Sequence, residues 1–165
     1  MTKNVVIIAH NIRSTHNVGS IIRTCEGFGV KTFFVSGYTP YPKVKGDIRL
    51  PHIAEKLDKQ IHKSALGAEK LVEIKPVKDL EELINVLKAD GYKLIALEQH
   101  TQSTKLPNFD APEKVAILLG EEVHGTSDQL LKICDEIVEI PMLGQKESFN
   151  VSVAAGIILY HVSLL

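Results

Sequence analysis

Short apolar runs rich in Val, Ile and Leu punctuate this chain, and nearly every one is followed by a polar or glycine-bearing turn and then a helical pattern. The runs are "NVVIIAH", "KTFFVSG", "VEIKPV", "KLIALEQ", "VAILLG" and "EIVEIPM". Their near-continuous hydrophobicity suits strands covered on both faces, as a parallel sheet requires. The segments between them carry helical spacing. The alternation predicts an α/β fold: a mostly parallel sheet with helices on both faces. At 165 residues and 44 % hydrophobic, the chain is expected to form one domain over residues 1–165, with no linker.

The helices announce their ends. In "NVGSIIRTCEGFG", Val18, Ile21, Ile22 and Cys25 fall on one face, and Ser20, Arg23, Thr24 and Gly27 on another. Asn17 is read as the N-cap of this helix, with Gly27 and Gly29 ending it. "DLEELINVLKADG" is amphipathic, with Asp79 placed to cap it and Gly91 to close it. "YTPYPKVKGDIRLP" is a loop broken by Pro40, Pro42, Gly46 and Pro51. "HIAEKLDKQIHKSALGAEKL" is mostly helical, "SDQLLKIC" a helix, and "SFNVSVAAGIILYHVSLL" a closing helix. The last is apolar on most sides and carries a small-residue stripe at Ser148, Ser152, Ala155 and Gly156. Such a helix must be covered by core or by another subunit.

In open α/β sheets, ligands bind beyond the carboxyl ends of the strands. Three such ends share a character: "HNIRSTHNVGSIIR", "GEEVHGTS" and "PMLGQKESFN". Familiar phosphate signatures are missing. There is no G-x-x-x-x-G-K-[ST], and "GFGVKT" lacks the final glycine of a dinucleotide fingerprint and precedes a strand. The seven histidines lack paired metal spacing, so no metal is expected. Cys25 and Cys134 read as small apolar residues of a reducing compartment. No run is long enough for a membrane span and none resembles a secretory leader, so a cytoplasmic protein is expected. The net charge of −1 divides unevenly: +6 over residues 1–75 and −7 over residues 76–165. That division suits a surface that attracts an anion such as a nucleic acid, and equally an even intermixing once folded.

The three turns, in order and spacing, resemble the motifs of the SpoU (TrmH-like) branch of the SPOUT superfamily, RNA 2′-O-ribose methyltransferases: "NVGSIIRTCEGFG", "LLGEEVHGTS" and "IPMLGQKESFNVSVAAG". The resemblance covers nearly the whole chain. Phe149 stands where the family more often has Leu. What it implies is a sheet whose C-terminal segment forms a deep trefoil knot, and S-adenosylmethionine as cofactor. By matching position, Leu97, Gly120, Ile140, Met142 and Ser148 are the expected cofactor contacts. The expected catalytic group is Arg23, Asn17, Glu122, Ser148 and Asn150. Arg23 would clamp the target phosphate, because a guanidinium with a pKa above about 12 is a poor base. Asn17 would position Arg23 or the RNA, and Glu122 would pin the loops or orient Arg23. Asn150 would line the pocket, with no evident capping role.

The resemblance also implies a homodimer through the C-terminal and first-motif helices. The expected substrate is tRNA or rRNA. Its expected surface is the loop and helix carrying Tyr38, Tyr41, Lys43, Lys45, Arg49, Lys56, Lys59 and Lys63, since aromatic rings among cations suit stacking and phosphate contact. The alternative is an inactive RNA-binding or RNA-processing protein of the same fold.

Overall fold

In a computed structural model, residues 3–122 and 124–165 are described. Seven strands form one sheet: β1 Asn4–His10, β2 Thr32–Ser36, β3 Glu73–Pro76, β4 Lys93–Leu97, β5 Thr104–Lys105, β6 Lys114–Leu119 and β7 Glu136–Glu139. Five α-helices accompany them: α1 Thr15–Gly27, α2 Pro51–Ala65, α3 Leu80–Ala89, α4 Asp128–Ile133 and α5 Val151–Leu164. The strand order is β3-β2-β1-β6-β4-β7-β5, and every pair is parallel. This is the architecture the apolar runs predict.

Each strand side chain alternates between faces. Val5, Ile7 and Ala9 of β1 pack with Ile21, Ile22 and Cys25 of α1 and Ile158 and Leu159 of α5. Val6 and Ile8 pack on the other face with Ile84 and Leu87 of α3. Two buried cores on a central strand explain why β1 and β6 read as unbroken apolar runs. The chain winds one way from β1 to β3 and resumes on the far side of β6, so β1 and β6 flank the switch point where a crevice opens.

Local chemistry sets the helix ends, and two expectations are corrected. Ser14, not Asn17, caps α1: its hydroxyl accepts the Asn17 N–H at 3.1 Å. Asn17 lies inside the first turn and is buried. Asn150 caps α5, accepting the Ser152 N–H at 2.9 Å. Ser148 therefore precedes the helix, and the small-residue stripe on α5 begins at Ser152. Asp79 caps α3 as anticipated. The two-residue β5 was not legible, because its pairing with β7 sits at the sheet edge and has no apolar run behind it.

Helices α1 and α2 touch closely at Gly19, where a side chain would run into the Ser64 hydroxyl and the Ile61 carbonyl. Ser64 Oγ also donates to His16 O at 2.9 Å, tying the two helices. Gly19→Ala is expected to lower stability by about 1–2 kcal/mol, since overpacking outweighs the better helix propensity of Ala. In a chain of this size that is about 3–8 °C in Tm by thermal melt. Gly27→Ala is the control: nothing lies within 4 Å of its added carbon, and its Tm should hold or rise.

Candidate active site

The three predicted turns meet at the carboxyl ends of the central strands, and a carboxylate joins them. Glu122, just after β6, accepts the Arg13 N–H at 3.2 Å, the Ser14 N–H at 3.4 Å and Asn17 Nδ2 at 3.2 Å. Asn17 passes the link on, its Oδ1 accepting from Asn150 Nδ2 at 3.3 Å. A single chain of hydrogen bonds thus crosses from the β6 turn through α1 to the cap of α5. Burial pushes the Glu122 carboxyl up, but the N–H groups of Arg13 and Ser14 and the Asn17 amide outweigh it and hold it below its ordinary range.

Beside this junction lies a cleft of about 510 Å³, a size that suits a small molecule. Leu97, Glu98 and Gln99 after β4, residues 119–122, His124 and Gly125 after β6, Glu139 and Ile140 at the end of β7, and residues 147–151 line it. Its polar side chains are mainly acidic: Glu98, Glu121, Glu122, Glu139 and Glu147, with no Lys or Arg among the lining residues described. Glu139 bonds Lys105 and the Ser103 hydroxyl, and these hold it ionised below its usual range. Glu98 accepts the Thr126 N–H at 2.8 Å and stands where a side chain at Gly125 would collide, so glycine is required there at φ +67°. A side chain at Gly120 would likewise strike Thr126, whose buried hydroxyl has no hydrogen-bond partner among the described residues.

Of the expected cofactor contacts, Leu97, Gly120, Ile140 and Ser148 line the cleft, and Met142 is not among its lining residues. Of the expected catalytic group, Asn17, Glu122 and Asn150 are brought together, and Ser148 sits on the cleft wall. Arg23 is not. It is exposed, its side chain has no hydrogen bond among the described residues, and it is absent from the cleft lining. Six residues along a helix place it about 9 Å up the axis from Asn17 and about 240° around it. Within one chain Glu122 and Asn17 engage other groups, Glu122 pinning the β1–α1 turn and Asn17 bonding Glu122 and Asn150. Asn150 does carry a capping role, contrary to expectation, and its amide reaches Asn17 besides.

Sequence reasoning passed over Arg13, Ser14, Glu98, Glu121 and His124. Arg13 Nη2 pairs with Glu121 Oε1 at 2.8 Å, and His124 Nδ1 lies 3.4 Å from Glu121 Oε2. Ser14 was legible as a cap three residues before Asn17; the others acquire meaning only where distant turns meet.

A second, open cleft of about 620 Å³ adjoins the first turn, lined by Arg13, Ser14, Tyr38, Tyr41, Arg49 and Gln60 among others. Arg13 stands between the two clefts, since it lines this one and is bonded to Glu121 and Glu122 of the other. Tyr38, Lys43, Lys45 and Lys63 are exposed nearby. Arg49 is not free for RNA: its guanidinium stacks 3.5 Å over Tyr41 and donates to the Tyr41 and Pro42 carbonyls and to Asp47. Arg49 and Tyr41 form a staple that shapes the loop. The RNA-facing expectation therefore passes to the remaining residues.

The model of the SpoU rRNA Methylase family matches residues 4–160. A tRNA (guanosine(18)-2′-O)-methyltransferase of Aquifex aeolicus is 30% identical over 158 residues, which are 96% of this chain and 68% of that protein. The crystal structure of the A. aeolicus TrmH/SpoU tRNA modifying enzyme aligns with a TM-score of 0.80 at 27% identity, covering 98% of this chain and 74% of that one. The SpoU methyltransferase AviRb of Streptomyces viridochromogenes, solved with the cofactor AdoMet, aligns at 0.80 and 24% identity, a likeness of fold. It is matched over 99% of this chain and 58% of its own.

Glu122→Gln is expected to lower Tm at pH 7, because one acceptor oxygen becomes a donor aimed at N–H groups. The folded-state pKa of Glu122 is depressed, so its contribution is present above the unfolded value of about 4.3 and fades as pH falls through the folded one. Melts from pH 7 to pH 3 should show the gap between variant and parent closing below about pH 4.3. A constant gap would contradict the assignment.

Proposed function

Because the chain belongs to the SpoU rRNA Methylase family, we propose that it transfers a methyl group from S-adenosylmethionine to a ribose 2′-hydroxyl of tRNA or rRNA. The observation that carries this reading is the convergence of the three motif turns on one cleft, joined through Asn17, Glu122 and Asn150.

The cleft fits the cofactor chemically. S-adenosylmethionine is a sulfonium, and the walls are acidic with no Lys or Arg among the described lining residues. The strand ends offer backbone groups and apolar side chains at Leu97, Leu119, Gly120 and Ile140 for a nucleoside. Bound there, it would supply an activated methyl group. Gly120, Ile140, Leu97 and Ser148 are the residues proposed to hold it, with Met142 on the same loop further out. The protein's own task is to fix the hydroxyl in line with that methyl, and orientation of this kind is worth up to about 7–11 kcal/mol. Asn17, bonded to Glu122 and to Asn150, is placed to help position that hydroxyl.

Arg23 is proposed to act across a homodimer. Its neighbour Thr24 lies against Gly156 of α5, and Phe28 meets Tyr160 edge-on at 6.4 Å. One face of α5 is buried in its own core, while Val153, Tyr160, Leu164 and Leu165 stay exposed. A second copy covering that apolar face would place Arg23 at the interface, able to hold the RNA phosphate at the other subunit's cleft. The deep trefoil knot of the family belongs to the same proposal. It is supported by the place of β7 between β4 and β5, strands laid down earlier, and by the return of the chain to α1 through residues 140–150. RNA contact is assigned to Tyr38, Lys43, Lys45 and Lys63, and the unpaired Cys25 and Cys134 suit a cytoplasmic setting.

Calorimetry should show S-adenosylmethionine binding, and tritium from its methyl group should enter RNA prepared from cells lacking the gene. Mass spectrometry of nucleosides from those cells should show one ribose methylation lost. Arg23→Ala is expected to keep cofactor affinity within about twofold and to lower transfer by 100-fold or more, as loss of a positioning and charge-stabilising group does. Binding of RNA but not cofactor by the parent protein would instead favour an inactive RNA-binding member.

A further inference from the structure

The wall between the two clefts carries a cluster that the family motifs do not explain. Glu121 and His124 sit on one tight turn, closed by the Gly125 N–H donating to Glu121 O at 2.9 Å. Glu121 Oε1 takes the Arg13 guanidinium at 2.8 Å, and Glu121 Oε2 faces His124 Nδ1 at 3.4 Å. The Tyr38 side chain approaches Arg13 and Glu121 from the far side. Burial pushes the Glu121 carboxyl up, while Arg13, His124 and Tyr38 more than offset it and keep it ionised. An ionised carboxylate at Nδ1 favours the Nδ1–H tautomer, which leaves Nε2 as a free acceptor. Carboxylate, imidazole and an open lone pair are the ingredients of a general base and the residue that orients it.

We propose that His124 accepts the proton of the ribose 2′-hydroxyl, with Glu121 as its positioning residue. This rests on the methyl-transfer reading of the site. A nucleotide lying in the open cleft at Tyr38 meets the donor cleft at this wall, and His124 lines the donor side. The step balances: the ribose oxygen forms a bond to the methyl carbon, the carbon–sulfur bond breaks with its electron pair left on sulfur, and the hydroxyl proton goes to Nε2. The neutral imidazole becomes a cation as the sulfonium loses its charge. Glu121 is placed to stabilise that cation. Arginine has no lone pair to offer at neutral pH, so a separate acceptor beside Arg23 removes a chemical difficulty.

Glu98, from the end of β4, accepts the Thr126 N–H and occupies the space behind Gly125, which anchors the chain just after His124. The charged or titratable groups around the imidazole are Glu121 on its own turn, Arg13 and Tyr38 across Glu121, Glu98 behind the turn, and Glu122 and Glu147 on the same cleft.

The test uses full-length protein, tritiated S-adenosylmethionine and RNA from cells lacking the gene. His124→Ala should lower kcat by about 10²–10⁴-fold, as loss of a general base does, with cofactor affinity by calorimetry within twofold. The acid limb of the pH–rate profile should vanish, and added imidazole should restore part of the rate. In protein free of RNA and cofactor, long-range ¹H–¹⁵N NMR should show His124 carrying its proton on Nδ1, and Glu121→Gln should weaken that preference. A His124→Ala variant with parental kcat and an unchanged acid limb would overturn the proposal, as would an Nε2–H tautomer in the parent. A parent protein that neither binds cofactor nor methylates RNA would remove the underlying function, a different result from an active parent with an indifferent His124→Ala.

Discussion

The Glu122 carboxylate is the point on which the site's geometry turns. Its two oxygens take three donors from a turn more than one hundred residues earlier, and through Asn17 they reach the cap of the last helix. Two of those donors are the backbone N–H groups of Arg13 and Ser14, just ahead of α1, and a helix N-terminus favours negative charge beside it. A carboxylate there suits the helix end and fixes the position of the β6 turn in one arrangement. Remove it, and the three turns that build the cleft lose their common anchor, although each strand beneath them would keep its own core.

Around that anchor the cleft divides its charge in a way that serves binding and chemistry separately. Glu139 is paired with Lys105, and Glu121 with Arg13 and His124, whereas Glu98 and Glu122 accept N–H groups and have no cationic partner among the described residues. No Lys or Arg lines the cleft among the described residues, so its wall is negative. A ligand that is itself positive is favoured inside, and a polyanion is repelled from it and drawn instead to Arg13 and the exposed lysines of the 37–50 loop and α2. The Arg49–Asp47 staple keeps that loop in shape without contributing its own charge to solution.

The sheet and its strands were legible because burial on two faces leaves an unbroken apolar signature, and α3 announced its cap at Asp79. The start of α1 was read three residues late, because Asn17 is a good capping residue by type but is turned inward to Glu122 while Ser14 does the capping. The convergence of Asn17, Glu122 and Asn150 followed from motif order. Glu98 and Arg13 were not legible, since a lone Glu after a strand and a lone Arg in a turn look like solvated charges until the partner turn is seen. Arg23 shows the opposite case: the motif resemblance singled it out, and the fold of one chain leaves it outside the cleft.

The order of residues alone determined the α/β class, the parallel sheet and the three turns at strand ends, because hydrophobic periodicity and turn chemistry are local and are written in consecutive residues. Only the tertiary structure decided which side chains share a wall, that Asn17 faces Glu122 rather than solvent, that Glu121 gathers Arg13 and His124, and that Arg49 is bonded within its own loop. Those outcomes depend on distances between segments many tens of residues apart, and such distances are set by how the helices pack on the sheet, not by any one stretch of chain.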